Sequence, residues 1–241
     1  MKIKREQIDT DDWGVFQKGS IEAYKAYLEG DKSLLTHHNI ISDGILEIDF
    51  ILKLCNLYLD SEPSGKALDI GCGSGYLTDT LYEQGFSSTG FDLSEEAIRI
   101  AKQKFPERSK YFVGDGARPA DYFETEKFDL IIAREFHPFT RINDPDFQMD
   151  LIESYLNLLN SGGVMVIAHS ERVDYLDTAL VNEWANSNGF HTVGPYHFSL
   201  LKRLKFLPRT QLTISCISIL NSLMSFLLNK KYVGFFLIQI P

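Results

Sequence analysis

Three glycines alternate in the stretch ALDIGCGSGYLT, where they are Gly71, Gly73 and Gly75. Glycine adopts positive φ and lets a ligand approach the backbone closely, so such a turn can press main-chain N–H groups against a bound molecule. Asp69 precedes the glycines, and a second acid, Asp92, ends the next apolar run. A carboxylate at a second strand end typically binds ribose hydroxyls. The pattern predicts a nucleoside-binding turn, although a tight turn without a ligand has the same glycines.

The spacing of these glycines bears on the kind of nucleotide. A dinucleotide-binding turn reads G-x-G-x-x-G, and its third glycine position is Tyr76 in this chain. The difference disfavours a nicotinamide oxidoreductase, which remains an alternative.

The segments around the turn alternate between two sequence patterns. Amphipathic stretches separate short apolar runs, and these runs are KALDI, SSTGF, KYFV, FDLII and GVMVIAH. Such alternation predicts an α/β fold with a parallel sheet and helices on both faces. We expect Ser94 to begin the second of these helices, and Gly162 and Gly163 to end the fourth. In such a sheet ligands bind beyond the carboxyl ends of the strands.

With these motifs in order, the chain resembles the class I S-adenosylmethionine-dependent methyltransferases. The matching motifs, spread over residues 66–170, are LDIGCGSG, GFDLS, VGDGARP, FDLIIAREFHPF and LLNSGGVMVIAHS. The resemblance implies a Rossmann-like three-layer αβα sandwich with a seven-stranded, mostly parallel sheet and an antiparallel last strand. It also implies S-adenosylmethionine as the cofactor and S-adenosylhomocysteine as the product.

Site residues follow from the resemblance, position by position. It implies that the methionine part of the cofactor is lined by Asp69, Gly71, Cys72 and Gly73. Asp92 would hold the ribose and Leu93 would flank the adenine, unless Leu93 is simple core. Asp115 and Gly116 would bind the adenine edge, although Asp115 could instead cap the short helix after it. Arg134 would meet both cofactor and substrate.

Methyl transfer is an in-line displacement that mainly requires alignment and exclusion of water. A general base is needed when the acceptor is a weakly acidic hydroxyl. The catalytic candidates lie in AREFHPFTR. They are His137, because histidine as a residue type suits proton transfer near neutral pH, Glu135, and Arg134. The alternatives are a loop histidine bonded to backbone, and a Glu135 that pairs with Arg134 or Arg141.

Two motifs that this sequence lacks narrow the chemical class of the methyl acceptor. Amide and adenine methylases carry the sequence N/D-P-P-Y/F after the fourth strand, where this chain has Ala133-Arg134-Glu135-Phe136. Metal-dependent enzymes have ligands after the fifth strand, where this chain has His169 and Ser170, so we expect no metal. A small hydroxylated or amine acceptor remains, such as a sugar or secondary metabolite. Six rings could stack on it or be scattered core residues: Phe136, His137, Phe139, His191, Tyr196 and His197. The functional alternatives are a cofactor-binding module without turnover and a polyamine-synthase-like aminopropyl transfer.

The composition bears on the binding partners and on the cellular compartment. The formal charge of −9 disfavours nucleic acid as a partner. Three scattered cysteines and a polar amino-terminal segment without an apolar core predict a cytoplasmic protein.

Two segments flank the motif region. Residues 1–60 predict a helical extension, either a lid over the cofactor or packing against the sheet, and residues 61–241 the methyltransferase domain. Residues 211–229 are at the short limit for a membrane span. Ser215, Ser218 and Ser222, continued by Ser225 and Asn229, form a stripe that favours packing against the sheet or a second subunit, hence no stable span and a homodimer as one option. YVGFFLIQI is expected to be the last strand.

Overall fold

The fold is built on one mixed sheet of seven strands. A computed structural model describes residues 29, 41–59, 62–140, 142–169, 176–197, 210–228 and 234–241. The strands are β1 (Lys66–Ile70), β2 (Ser87–Asp92), β3 (Lys110–Val113), β4 (Phe128–Arg134), β5 (Leu159–His169), β6 (His191–His197) and β7 (Gly234–Gln239), in the order β3-β2-β1-β4-β5-β7-β6. Strands β1 to β5 pair in parallel, and β7 runs antiparallel to both of its neighbours. The predicted seven-stranded Rossmann-like fold is confirmed.

Helices cover both faces of this sheet. They are α1 (Ile41–Leu59), α2 (Tyr76–Glu83), α3 (Glu95–Lys104), α4 (His137–Thr140), α5 (Pro145–Leu156), α6 (Thr178–Ser187) and α7 (Gln211–Leu228), with a short 3₁₀ turn at Pro119–Asp121. Side chains of α1, α2 and α7 form one core cluster with β4, β5 and β7. Side chains of α5 and α6 form a second cluster with β1, β4 and β5. The alternating side chains of the central strands therefore supply both cores.

Helix α1 belongs to the first of these cores. Ile48, Phe50 and Leu54 are buried, and the Phe50 ring lies 5.4 Å from that of Phe235 on β7. Residues 1–28 and 30–40 lie outside the described part of the chain, so the lid remains a proposal.

Local signals in the sequence account for the helix starts. The Ser94 hydroxyl accepts a hydrogen bond from the N–H of Ala97 at 3.2 Å, as expected of an N-cap. The Asp144 carboxylate caps α5 in the same way, accepting from the N–H of Phe147 at 3.1 Å.

The expected end of the fourth helix is wrong. Helix α5 stops at Leu156, and β5 begins at Leu159, so Gly162 and Gly163 lie within the strand. The pairing of β4 with β5 shifts register between Phe128 and Leu130, where Gly162 has a φ of 76°. The two glycines permit an irregularity in a strand rather than the end of a helix.

Candidate active site

The glycine turn follows β1 in the middle of the sheet. Gly71, Gly73 and Gly75 all have positive φ, of 68°, 52° and 82°. The N–H groups of Gly71 and Cys72 both donate to the carbonyl of Phe91 on β2, at 2.9 and 3.1 Å. The chain order reverses here because β1 lies between β2 and β4. The turn therefore occupies the place where open α/β sheets bind ligands.

The three glycines meet different requirements. Gly71 is exposed, whereas a Cβ on Gly75 would lie 2.8 Å from both Ala101 Cβ and the Tyr111 ring. Gly71 thus leaves the backbone open to a ligand, and Gly75 permits α2 to pack closely against α3 and β3.

Asp92 ends β2 and holds the turn from the adjacent strand. Its Oδ2 accepts a hydrogen bond from the Gly73 N–H at 2.9 Å, and its Oδ1 accepts from the Ser94 N–H at 2.9 Å. Burial raises the pKa of Asp92, and these two N–H groups act against that rise by favouring the charged form. Each carboxylate oxygen has a second acceptor direction available for a hydroxyl donor. The chemistry of this donor and acceptor set fits a nucleoside sugar.

Asp69 lies beneath the turn rather than at its surface. It is 1% exposed, and the Thr78 hydroxyl donates to its Oδ2 at 2.6 Å. Burial raises the pKa of Asp69 to about 7, although the Thr78 hydrogen bond and the charge of Arg134 both lower it. In this structure the side chain joins β1 to α2.

Cys72 is also buried, in a small cluster with Ile98, Ala101 and Tyr111. Burial raises the pKa of its thiol well above the usual range. A Cβ on Gly90 would lie 3.0 Å from Cys72 Sγ and 2.5 Å from Thr78 Oγ1. Gly90 inside β2 was the one sequence signal that α2 approaches this strand so closely.

Two exposed apolar side chains lie beside Asp92. Leu93 is 37% exposed and Val113 is 41% exposed, and Val113 pairs with Asp92 across β2 and β3. Leu93 is therefore not core, and Val113 is a candidate that the sequence reasoning missed. Strand β3 ends on the same edge as β2, which could have indicated it.

The loop after β3 is shaped by its own contacts. Asp115 Oδ1 accepts from the Ala117 N–H at 2.9 Å, and its Oδ2 accepts from Arg118 Nε at 3.1 Å. The Gly116 carbonyl accepts from the Tyr155 hydroxyl at 2.6 Å. Asp115 thus stabilises its own turn, as a capping residue would. Tyr155 was missed because it looks like an ordinary core residue of an amphipathic helix.

The ring of Phe136 lies between the backbones of Gly71 and Gly116. This buried ring lies 3.3 Å from the place of a Cβ on Gly71 and 2.7 Å from that of a Cβ on Gly116. The ring also packs edge-on against Phe139 and Tyr155, with centroids 5.4 and 6.4 Å away. Phe136 therefore fixes the spacing of the two loops.

The three catalytic candidates follow β4. Arg134 is its last residue and pairs with Ala168, and the Glu135 N–H donates to the Ala168 carbonyl at 2.7 Å. Glu135 has a φ of 52°, a conformation that costs a non-glycine residue of order 1 kcal/mol. His137 begins α4, and both of its ring nitrogens are shielded from solvent. The strand ends of β1, β2 and β4 are adjacent, which gathers these residues with the glycine turn and Asp92.

Of the six rings that we considered for acceptor stacking, the four whose placement is described below do not form one surface. Phe136 and Phe139 are core residues. His191 begins β6 and pairs with Gln239 at the end of β7, on the edge opposite the glycine turn. Tyr196 packs on Tyr58 of α1, with ring centroids 5.2 Å apart. The described rings favour the alternative of scattered residues over an aromatic platform, because they pack in two cores and lie at opposite edges of the sheet.

Residues 46–207 match the family model described as a methyltransferase domain. The chain is 28% identical over 184 residues to an uncharacterized methyltransferase of Bacillus cytotoxicus, covering 74% of this chain and 76% of that one. It is 34% identical over 103 residues to a ubiquinone biosynthesis O-methyltransferase of Pelagibacter ubique, covering 43% of this chain and 41% of that relative. The chain therefore aligns with less than half of the length of this second relative.

Among solved structures, the fold resembles magnesium protoporphyrin IX methyltransferase from Synechocystis PCC 6803 with bound S-adenosylhomocysteine. The TM-score is 0.58 at 15% identity, over 97% of this chain and 100% of that one. The family match and the architecture together define a class. The chain belongs to the methyltransferase-domain family of class I S-adenosylmethionine-dependent methyltransferases.

Proposed function

We propose that the protein transfers a methyl group from S-adenosylmethionine to a hydroxyl of a small acceptor. The observation that carries the proposal is the carboxylate of Asp92, held by the N–H groups of Gly73 and Ser94 directly beside the exposed Gly71. The ubiquinone biosynthesis O-methyltransferase named above is a relative whose acceptor atom is oxygen, which supports a hydroxyl over an amine.

Cofactor binding is assigned to residues at the ends of the first three strands. Asp92 accepts hydrogen bonds from the ribose hydroxyls, Leu93 and Val113 flank the adenine, and the Gly71–Gly73 backbone lies along the methionine part. The exposure of Leu93 and Val113 supports the adenine assignment. The 115–116 loop borders the adenine edge, with its backbone held by Tyr155.

Two roles under the turn are positioning roles. The side chains of Asp69 and Cys72 are buried beneath the backbone that the cofactor would contact. We propose that they position that backbone: Asp69 through its hydrogen bond from Thr78, and Cys72 through its packing against Ile98, Ala101 and Tyr111.

The sulfonium supplies an electrophilic methyl group when the cofactor is bound. The chain must align the acceptor oxygen with it and accept the hydroxyl proton. We assign the base to Glu135 rather than His137, because a base must reach the acceptor and the His137 nitrogens are shielded from solvent. We assign to Arg134, which lies next to Glu135 at the end of β4, contact with both the cofactor and the acceptor.

The test is transfer of a labelled methyl group from S-adenosylmethionine to a panel of phenols, polyols and sugars, with amines as the contrasting set. We expect transfer to a hydroxyl, and Glu135→Gln should lower kcat by at least about 100-fold while cofactor affinity changes little. Glu153→Gln, an exposed acid on α5, is the matched control and should retain full activity. Transfer to amines alone overturns the acceptor class, and loss of activity in His137→Asn but not in Glu135→Gln reverses the base assignment.

A further inference from the structure

Helix α7 packs on the protein through a face that includes polar residues. Ser218 and Asn221 are buried, together with Ile214 and Ile217, which belong to the core under β6 and β7. The Tyr58 hydroxyl on α1 lies 2.9 Å from Ser215 Oγ. These contacts hold α7 against the sheet by a face that mixes small polar and apolar residues. The expected serine stripe is only partly correct, since Ser222 is exposed and Asn221 takes the buried place.

The opposite side of α7 is apolar and exposed. We call it the outer face, and it consists of Leu212, Ile219, Leu220, Leu223, Phe226, Leu227 and Leu228, which are between 47% and 74% exposed. Apart from Leu228 at the helix end, these positions fall within an arc of about 120° around the helix axis at 3.6 residues per turn. By length and composition α7 is also the one described helix that could cross a membrane, and only 24% of it is buried. Soluble monomers rarely expose an apolar patch this long, so the outer face marks an interaction surface.

The charge of the chain identifies the partner. Residues 184–241 contain six lysines and arginines and no aspartate or glutamate, whereas the other 183 residues carry a net charge of −15. Four of the basic residues precede α7 and two follow it directly, and they are Lys202, Arg203, Lys205, Arg209, Lys230 and Lys231. An exposed apolar helix face between basic clusters is typical of binding to the surface of an anionic bilayer. In a twofold dimer built on the outer face, the basic clusters of the two copies would face each other and repel, so a second copy fits this surface less well.

The connection in which α7 lies is far longer than the strands require. Strands β6 and β7 are antiparallel neighbours, with His197 opposite Gly234. A hairpin of this kind needs only two to five residues, yet residues 198–233 separate the strands. The chain leaves β6 and enters β7 on the edge that carries the glycine turn, because β6 runs parallel to β5. The insertion adds a helix whose outer face the sheet does not use.

We propose that the outer face of α7 binds the surface of a membrane rich in anionic lipid. The helix lies flat, with Leu223, Phe226 and Leu227 entering the acyl boundary and the flanking lysines and arginines contacting lipid phosphates. It does not span the bilayer, because Ser218, Asn221 and the Tyr58–Ser215 contact keep its inner side on the protein.

Sedimentation of the full chain with vesicles tests this proposal independently of catalysis. The protein should bind phosphatidylcholine vesicles containing 30% phosphatidylglycerol, about 30% being a level at which surface charge dominates peripheral binding. It should not bind pure phosphatidylcholine, and high salt should weaken the binding. The substitution Leu223→Ser/Phe226→Ser/Leu227→Ser should lower the affinity at least about 100-fold. Its matched control, Tyr82→Ser/Leu180→Ser, removes exposed apolar side chains from α2 and α6 and should change little.

A second pair of variants tests the contribution of charge. Lys230→Gln/Lys231→Gln should lower the affinity for anionic vesicles about 30-fold. The control Lys102→Gln/Lys110→Gln removes two lysines elsewhere and should leave that affinity unchanged. Unchanged circular dichroism and cofactor affinity show that each variant is folded. Equal binding to both vesicle types, no binding to either, or full binding by the outer-face variant overturns the proposal. So does a wild-type dimer in light scattering that the outer-face variant converts to a monomer without any vesicle binding, since the partner is then a second copy.

Discussion

The hydroxyl of Thr78 donates a 2.6 Å hydrogen bond to Asp69 Oδ2 directly beneath the glycine turn. Both side chains are buried, and burial raises the pKa of Asp69 to about 7. The pair joins the end of strand β1 to the first turn of helix α2. The acid that precedes the glycines therefore supports the turn from below, while Asp92 faces it from the next strand.

The stability of the protein should depend on pH through Asp69. Its folded pKa of about 7 lies above the ordinary value of 3.8, so the folded state binds the proton more tightly. This contribution is fully present below pH 4 and is lost as the pH rises through 7, with a slope of up to about 1.4 kcal/mol per pH unit. Asp69→Asn keeps an acceptor for Thr78 and should flatten the urea-unfolding free energy between pH 4 and 7. The exposed acid Asp146 gives the control, since Asp146→Asn should keep the slope, and a slope of wild-type size in Asp69→Asn contradicts the assignment.

Gly75 should tolerate alanine poorly. Its φ of 82° costs an L-residue roughly 1 kcal/mol, and the new Cβ would lie 2.8 Å from Ala101 and Tyr111, which adds roughly 1–3 kcal/mol. Gly85 provides a close control because its φ is 93° and no atom lies within 4 Å of its Cβ position. Denaturant unfolding should show a loss of about 2–4 kcal/mol for Gly75→Ala and about 1 kcal/mol for Gly85→Ala. Equal losses of unfolding free energy in the two variants would mean that the positive φ alone, and not the close packing, requires glycine at position 75.

The backbone at Glu135 should be strained. Because φ is 52°, replacing Glu135 by glycine should give a variant about 1 kcal/mol more stable than replacement by alanine. The comparison between the two variants cancels the loss of the carboxylate itself. Thermal or urea unfolding of both proteins measures the difference, and an alanine variant as stable as the glycine variant argues against stored strain. Both should lose turnover, since both lack the proposed base.

The alternation of strands and helices, and the glycine turn that follows β1, were predictable from particular residues. Alternating glycines, an acid at the end of the second run and helix caps such as Ser94 are local signals, so they appear in one stretch of sequence. The end of the fourth helix was wrong because Gly162 has the composition of a helix stop but forms an irregularity inside β5.

Features that depend on distant contacts were not predictable. Tyr155 bonds the Gly116 carbonyl from α5, and Phe136 spans two loops, although each reads as ordinary core in its own segment. The orientation of α7 was ambiguous for the same reason. Apolar residues occupy most of that helix, so periodicity marked the serines but not which leucines remain exposed.

Titration calorimetry with S-adenosylmethionine tests the central claim most directly. Wild-type protein should bind the cofactor with a Kd below about 1 mM. Asp92→Ala removes the carboxylate that we propose as the acceptor for the ribose hydroxyls. At about 1.5–3 kcal/mol for each hydrogen bond, the variant should bind the cofactor at least about 100-fold more weakly. Asp146→Ala should bind like wild type, and circular dichroism should show both variants folded. Absence of binding by the wild-type protein, or undiminished affinity in a folded Asp92→Ala variant, would contradict the account.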